Sequence, residues 1–149
     1  MKYLGLSAVL FSFATSAQAQ WQYEPPSEGN AYAWTSDGGF VDDSYQNGMM
    51  FICPPPEAEG LFCRLFVTIN GQRPRPPAAV TFEFPDGETL QRITERVGGG
   101  TPQVGWDPRL IEKLRSQGTV TVSFGDHPGH TFSLRGSSQA IGRAMGDID

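Results

Sequence analysis

The stretch Met49-Met50-Phe51-Ile52-Cys53-Pro54-Pro55-Pro56-Glu57-Ala58-Glu59-Gly60-Leu61-Phe62-Cys63-Arg64-Leu65-Phe66-Val67-Thr68-Ile69-Asn70 decides the fold. Two apolar, β-prone runs flank a polar, proline-rich insert. In the second, Leu61 to Asn70, a period of two puts Cys63, Leu65, Val67 and Ile69 on one face and Phe62, Arg64, Phe66 and Thr68 on the other. In the first, Met49, Phe51 and Cys53 share a face. Both cysteines therefore fall on apolar faces at the mouth of a wide hairpin, and a Cys53–Cys63 disulfide is expected to clamp it. A C-x9-C spacing is neither a redox C-x-x-C nor a zinc knuckle. Closing so short a loop stabilises by about 2.5–3 kcal/mol in the chain-entropy account. The triplet Pro54-Pro55-Pro56 stiffens the loop above the clamp.

Working outward, the same alternation recurs. Ala31 to Ser36 reads as a short strand ending at Asp37-Gly38-Gly39, and Asp42-Asp43-Ser44 as a polar loop. Gly71 to Pro77 is a loop. Ala79 to Phe84 alternates with Val80, Phe82 and Phe84 inward, and Pro85-Asp86-Gly87 is turn chemistry. Thr89 to Val97 fits a helix face through Leu90, Ile93 and Val97, but the hairpin turn before it favours a strand, and strand is the expectation. The Gly-rich Val97–Gly105 stretch reads as a flexible loop. Asp107 to Gly118 is the clearest helix: Asp107 is an N-cap acceptor, Pro108 suits the first turn, Leu110, Ile111 and Leu114 make one stripe, and Gly118 is expected to end it at positive φ. Thr119 to Phe124 and His130 to Leu134 are strands around a type II turn at His127-Pro128-Gly129-His130. Ser137 or Ser138 is expected to cap a last short helix through Ala140, Ile141, Ala144 and Met145. The expected fold is mainly β with minor α: an antiparallel β-sandwich or curved sheet, a central helix and a short C-terminal helix.

The N-terminus, MKYLGLSAVLFSFATSAQAQ, has one charge at Lys2, an apolar run from Leu4 to Ala14 and the small-residue pair Ala17-Gln18-Ala19. That is the pattern of a secretory signal, and the run is too short to span a bilayer. Residues 1–19 are expected to be removed. Residues 20–30 read as an extended lead-in, 31–146 as a single β-rich domain and 147–149 as a frayed tail. The product is expected to be periplasmic or secreted, where a two-cysteine complement forms a disulfide.

Composition narrows the function. The chain of 149 residues is 38% apolar, with 10 Phe, 4 Tyr and 3 Trp, which excludes wholesale disorder. Its net charge of −5 excludes a phosphate-neutralising nucleic-acid binder and a polybasic lipid anchor. With 18 Gly and 12 Pro it is turn-rich.

Five sets of residues are candidates for chemistry or binding. Asp126, His127 and His130 cluster at a turn and are the only metal candidates, but a site needs three or four ligands and a second shell, so a polar hairpin tip is preferred. No G-x-S-x-G or S-x-x-K nucleophile motif occurs, and Ser137-Ser138 read as helix caps. The acids Asp42-Asp43, Glu57 and Glu59, and Asp86 and Glu88 fit solvated turns better than a glycosidase pair. Val97–Gly105 lacks a phosphate-loop lysine. The remaining candidate is the clamped loop, Pro54, Pro55, Pro56, Glu57 and Glu59, as a pre-ordered protein-binding element with little entropy to lose on binding.

The segment Leu110-Ile111-x-x-Leu114, Val120-x-Val122-x-Phe124 and Phe132-Ser133-Leu134-Arg135-Gly136-Ser137-Ser138-x-Ala140-Ile141 resembles small periplasmic proteins of the invasion-associated locus B type and the type VI secretion-associated VasI type. The resemblance implies a β-sandwich-like domain closed by a strand, a glycine and a small-residue helix, and a non-enzymatic role in the envelope. The expectation is a non-catalytic exported module, without cofactor, that binds another envelope or secreted protein, a basic one among the options. The alternatives are an inhibitor of a cell-wall hydrolase, steered by negative charge, and a hydrolase with an unrecognised site.

Overall fold

Period-two alternation becomes a single antiparallel sheet. The computed structural model describes residues 20–27, 29–41, 44–96 and 100–147. In chain order the elements are β1 Gln22–Ser27, β2 Asn30–Val41, β3 Ser44–Cys53, β4 Arg64–Thr68, β5 Ala79–Glu83, β6 Thr89–Glu95, β7 Gln103–Val104, α1 Pro108–Ser116, β8 Thr119–Phe124, β9 His130–Ser133 and α2 Ser137–Met145. The nine strands lie in the order β1-β2-β3-β4-β7-β6-β5-β8-β9. Residues directly opposite one another share a face, so the register carries one apolar face across the strands. Phe51 lies between Ala33 and Leu65, and Phe82 between Leu90 and Val122. Val80, Val120 and Val122 are fully buried with them.

The two edges of this order meet. The Trp21 backbone N–H, just before β1, donates to Arg135 O at 3.1 Å, and its indole Nε1–H donates to Ser133 O at 3.2 Å. Asp37 in β2 reaches His130 in β9 at 3.1 Å. The sheet is thus strongly curved, bringing its two ends together at Trp21 and at the Asp37–His130 pair. Both helices pack into the same core, α1 through Leu110, Ile111 and Leu114 and α2 through Ala140, Ile141 and Ala144. α2 lies on β1, β2 and β3 and touches α1.

Several sequence expectations are corrected. The lead-in is in fact a strand, β1. Its prolines 25 and 26 sit at an edge, where a missing N–H is tolerated, and the register against β2 shifts there. β2 does not stop at Ser36; it runs to Val41 past a register shift between Asp37 and Phe40, where Gly38-Gly39 fall. Of the polar loop, Asp42-Asp43 lie outside the described residues, while Ser44 opens β3. The strand expected from Leu61 begins only at Arg64. Asn70 and Gly71 both take positive φ, 51° and 71°, and Ile69 and Gln72 exchange hydrogen bonds of 2.9 Å, so Asn-Gly forms a tight primed hairpin turn. The described part of the Gly-rich stretch is no loop throughout: Gln103–Val104 forms β7, bridging Leu65 of β4 and Thr94 of β6.

The ends of the helices differ too. α1 is capped by Asp107, whose carboxylate accepts from Arg109 N at 2.9 Å, as expected. It ends through Gln117 in extended conformation, and Gly118 does not take positive φ. Gly129 does not either, so the His127–His130 turn is not type II; the chain reverses earlier, with Gly125 at φ 57° and His127 N–H donating to Phe124 O at 3.3 Å. Thr89–Glu95 is a strand, as expected. Neither Ser137 nor Ser138 caps α2, whose N-cap is Gly136. The tail is tied down as far as Asp147: Gly146 N–H donates to Arg143 O and Asp147 N–H to Gly142 O, a Schellman closure, and the Asp147 carboxylate meets Arg115 at 2.9 Å. Residues 148–149 of the expected tail, like 1–19, lie outside the described residues.

Candidate functional site

The disulfide between Cys53 and Cys63 is formed. Cys53 ends β3 in the core and Cys63 precedes β4 half-buried, so both ends of the nine-residue loop are fixed to paired strands. Within it Ala58 N–H donates to Pro55 O at 2.9 Å and Leu61 N–H to Ala58 O at 3.3 Å, two successive turns. The consequence is an outward display. Pro56, Glu57 and Glu59 are exposed, and Leu61 and Phe62 stand 65% and 61% exposed. Among the described residues only Ile93 is a comparably exposed large apolar side chain. Pro54 and Pro55 are half-buried at the base.

The loop leans against a cleft. Phe62 stacks on Trp106 with ring centroids 5.4 Å apart. At the other side, Pro56 Cγ lies 3.5 Å from where a Cβ at Gly146 would be, at the end of α2. Trp106 and Met145 both line a cleft of about 390 Å³ between α1 and α2, with Ile111 between them and Glu112, Arg115 and Ser138 around the rim. The helix pair is set by a buried bond: Ser137 Oγ donates to Leu114 O at 2.6 Å, satisfying a carbonyl near the end of α1.

The outer side of α1 is bound to the β5–β6 hairpin by charge. Arg92 pairs with Asp107, Arg109 with Glu88, and Lys113 with Asp86 and, at 2.6 Å, with Glu88. The hydrogen bond from Lys113 holds the Asp86 carboxyl below its ordinary value, helped by the Glu88 backbone N–H. The same ammonium does so for Glu88, with Arg109 adding to it. Both acids in turn hold Lys113 above its ordinary value. Asp86 and Glu88 are therefore engaged by cations that fasten a helix, an arrangement that leaves them no free acid–base pair.

The histidine turn does not gather ligands. His130 Nε2 bonds Asp37 across the sheet closure and packs its ring on Phe132, while His127 sets its ring edge against Phe124. Asp126 is exposed, and among the described residues no group of three or more His, Cys, Asp or Glu side chains converges. Ser137 is spent on Leu114 and Ser138 is exposed on the cleft rim. Sequence reasoning missed Trp106 and assigned Phe62 to a strand. A signal for Trp106 was present: Trp106 and Ile111 occupy the positions before the cap and at the fourth helical residue, the spacing of a hydrophobic staple. No protein family, curated protein or solved structure matches the chain.

Proposed function

We propose that the protein is a non-catalytic exported module that binds another protein of the envelope or secreted space through its disulfide-clamped loop. The observation that carries this reading is the display of Leu61 and Phe62 on a segment pinned at both ends. Two large apolar side chains held in water cost free energy that folding alone does not require, and a pre-ordered loop loses little entropy on docking. The N-terminal signal pattern, the disulfide, and described helices that are none of them long and apolar enough to cross a membrane fit export. The C-terminal resemblance to periplasmic proteins of the locus B and VasI types supports the same compartment. Inhibition of a basic cell-wall hydrolase is a second reading, favoured by the exposed acids Glu57 and Glu59, neither of which forms an ion pair among the described residues.

The test is capture from periplasmic extract with the wild-type chain and with Leu61→Ser plus Phe62→Ser. Capture of a defined partner is expected to be lost at an unchanged melting temperature. Equal capture by both forms defeats the reading, and a fall in melting temperature with it assigns the pair to stability instead.

A further inference from the structure

We propose that the α1–α2 cleft and the disulfide loop form one recognition site for a cationic amphipathic segment of a partner protein. A bulky apolar side chain enters between Trp106, Ile111 and Met145, and flanking Lys or Arg side chains meet Glu57, Glu59 and Glu112. The inference rests on the loop being a protein-binding element and deepens it by naming the seat and the chemistry of what sits there.

Two contacts make loop and cleft one surface. Phe62 stacks on Trp106 from one side and Pro56 abuts the end of α2 at Gly146 from the other. The loop therefore borders the cleft at Trp106 and next to Met145, while the cleft itself is lined by Trp106, α1 and α2. At about 390 Å³ the cleft is in the range of pockets that hold a ligand group, about 300–1,000 Å³. Its floor is aromatic and aliphatic, and it is rimmed by polar side chains. That is the form of an anchor pocket, in which a single aromatic or aliphatic side chain carries most of the binding free energy.

Charge selects the occupant. Glu57, Glu59 and Glu112 are exposed, and none of the three forms an ion pair among the described residues. Arg115, the cation on the same rim, is already held by Asp147 at 2.9 Å. Arg64 follows the loop but lies opposite Ile52, on the outer face of the sheet. The acids on the far side of α1 are by contrast neutralised by Arg92, Arg109 and Lys113. Glu112 on the cleft rim and Glu57 and Glu59 on the adjoining loop thus leave unpaired negative charge beside the apolar cleft, which favours basic partners and repels acidic ones.

A phage-displayed library of random peptides, each about a dozen residues long, panned on the purified protein, tests this. Enriched peptides are expected to carry Trp, Phe or Leu flanked by Lys or Arg. The strongest, made synthetically, should bind about tenfold more weakly to Ser138→Trp, which fills the cleft from an exposed position, and to Glu57→Lys plus Glu59→Lys. Glu112→Lys should act in the same direction without touching the cleft floor. Melting temperatures control for folding. Enrichment of acidic or uncharged peptides, or of none, overturns the proposal. Full binding to both Ser138→Trp and Glu112→Lys, with loss in the loop variants, removes the cleft and leaves the loop reading standing. Loss in the Ser138→Trp variant with full binding to the loop variants and to Phe62→Ser overturns the loop reading and the joint site with it. Sedimentation showing a dimer that Ser138→Trp dissociates makes the occupant a second copy of this chain and likewise overturns it.

Discussion

Adjacent serines in this chain have opposite meanings, which only their surroundings reveal. Ser137 is 1% exposed and donates to Leu114 O, while Ser138 faces solvent on the cleft rim. Removing the first hydroxyl strands a buried carbonyl, which costs about 1–3 kcal/mol. Removing the second strands nothing, and surface changes of that kind stay within about 0.5 kcal/mol. Urea unfolding of Ser137→Ala and Ser138→Ala should separate by that margin; equal midpoints would show that the inter-helix bond contributes nothing. From sequence both residues read as caps, because Ser before an apolar stripe is a capping signal. The signal was met by Gly136 at φ 82°, a backbone solution that frees the Ser137 side chain for a distant acceptor. The Asp107 cap is legible in the sequence because its partner, the Arg109 N–H, is two residues away.

At the scale of elements, α1 is fastened to the β5–β6 hairpin by an ion network with a definite pH signature. Asp86 and Glu88 sit below their ordinary values of 3.8 and 4.5. Their contribution to stability is therefore complete above those values and is lost as pH falls through the lowered ones. Lys113 sits above 10.5, so its contribution is complete below that pH and is lost as pH rises beyond it. Chemical unfolding followed from pH 2 to pH 11 should show stability declining at both extremes, and Lys113→Met should reduce both slopes. An unaltered acid limb in that variant would show that Lys113 does not hold the two carboxyls. The elements themselves were legible where alternation was long and local: β5, β8 and α1 lie where their patterns put them. β1 and β7 were not. β1 carries Pro25 and Pro26, which mask a strand pattern, and β7 is two residues long and relies in part on Leu65, far away in the chain.

The whole molecule depends on a closure that no local pattern announces. Trp21 is 4% exposed, packs 6.1 Å from Phe51 and gives its indole N–H to Ser133 O, joining the first strand's edge to the last. Trp21→Phe keeps a ring in the core and removes that bond. A loss of about 1–3 kcal/mol is expected. Hydrogen exchange should quicken in β1 and β9 while the central β5 and β8 keep their protection. Uniform quickening would mean that the closure is no separate unit. The sequence by itself determined the β-rich class, the strand faces, the disulfide and α1, because each follows from spacing within a few residues or from a thiol pair enclosing a short loop. The tertiary structure alone decided the curvature that brings Trp21 to Arg135, the pairing of Asp37 with His130, and the cleft where Trp106, with Phe62 stacked on it, meets Met145. Those contacts join residues far apart in the chain. Their free energy comes from burying surfaces against each other, and that depends on where the whole sheet bends.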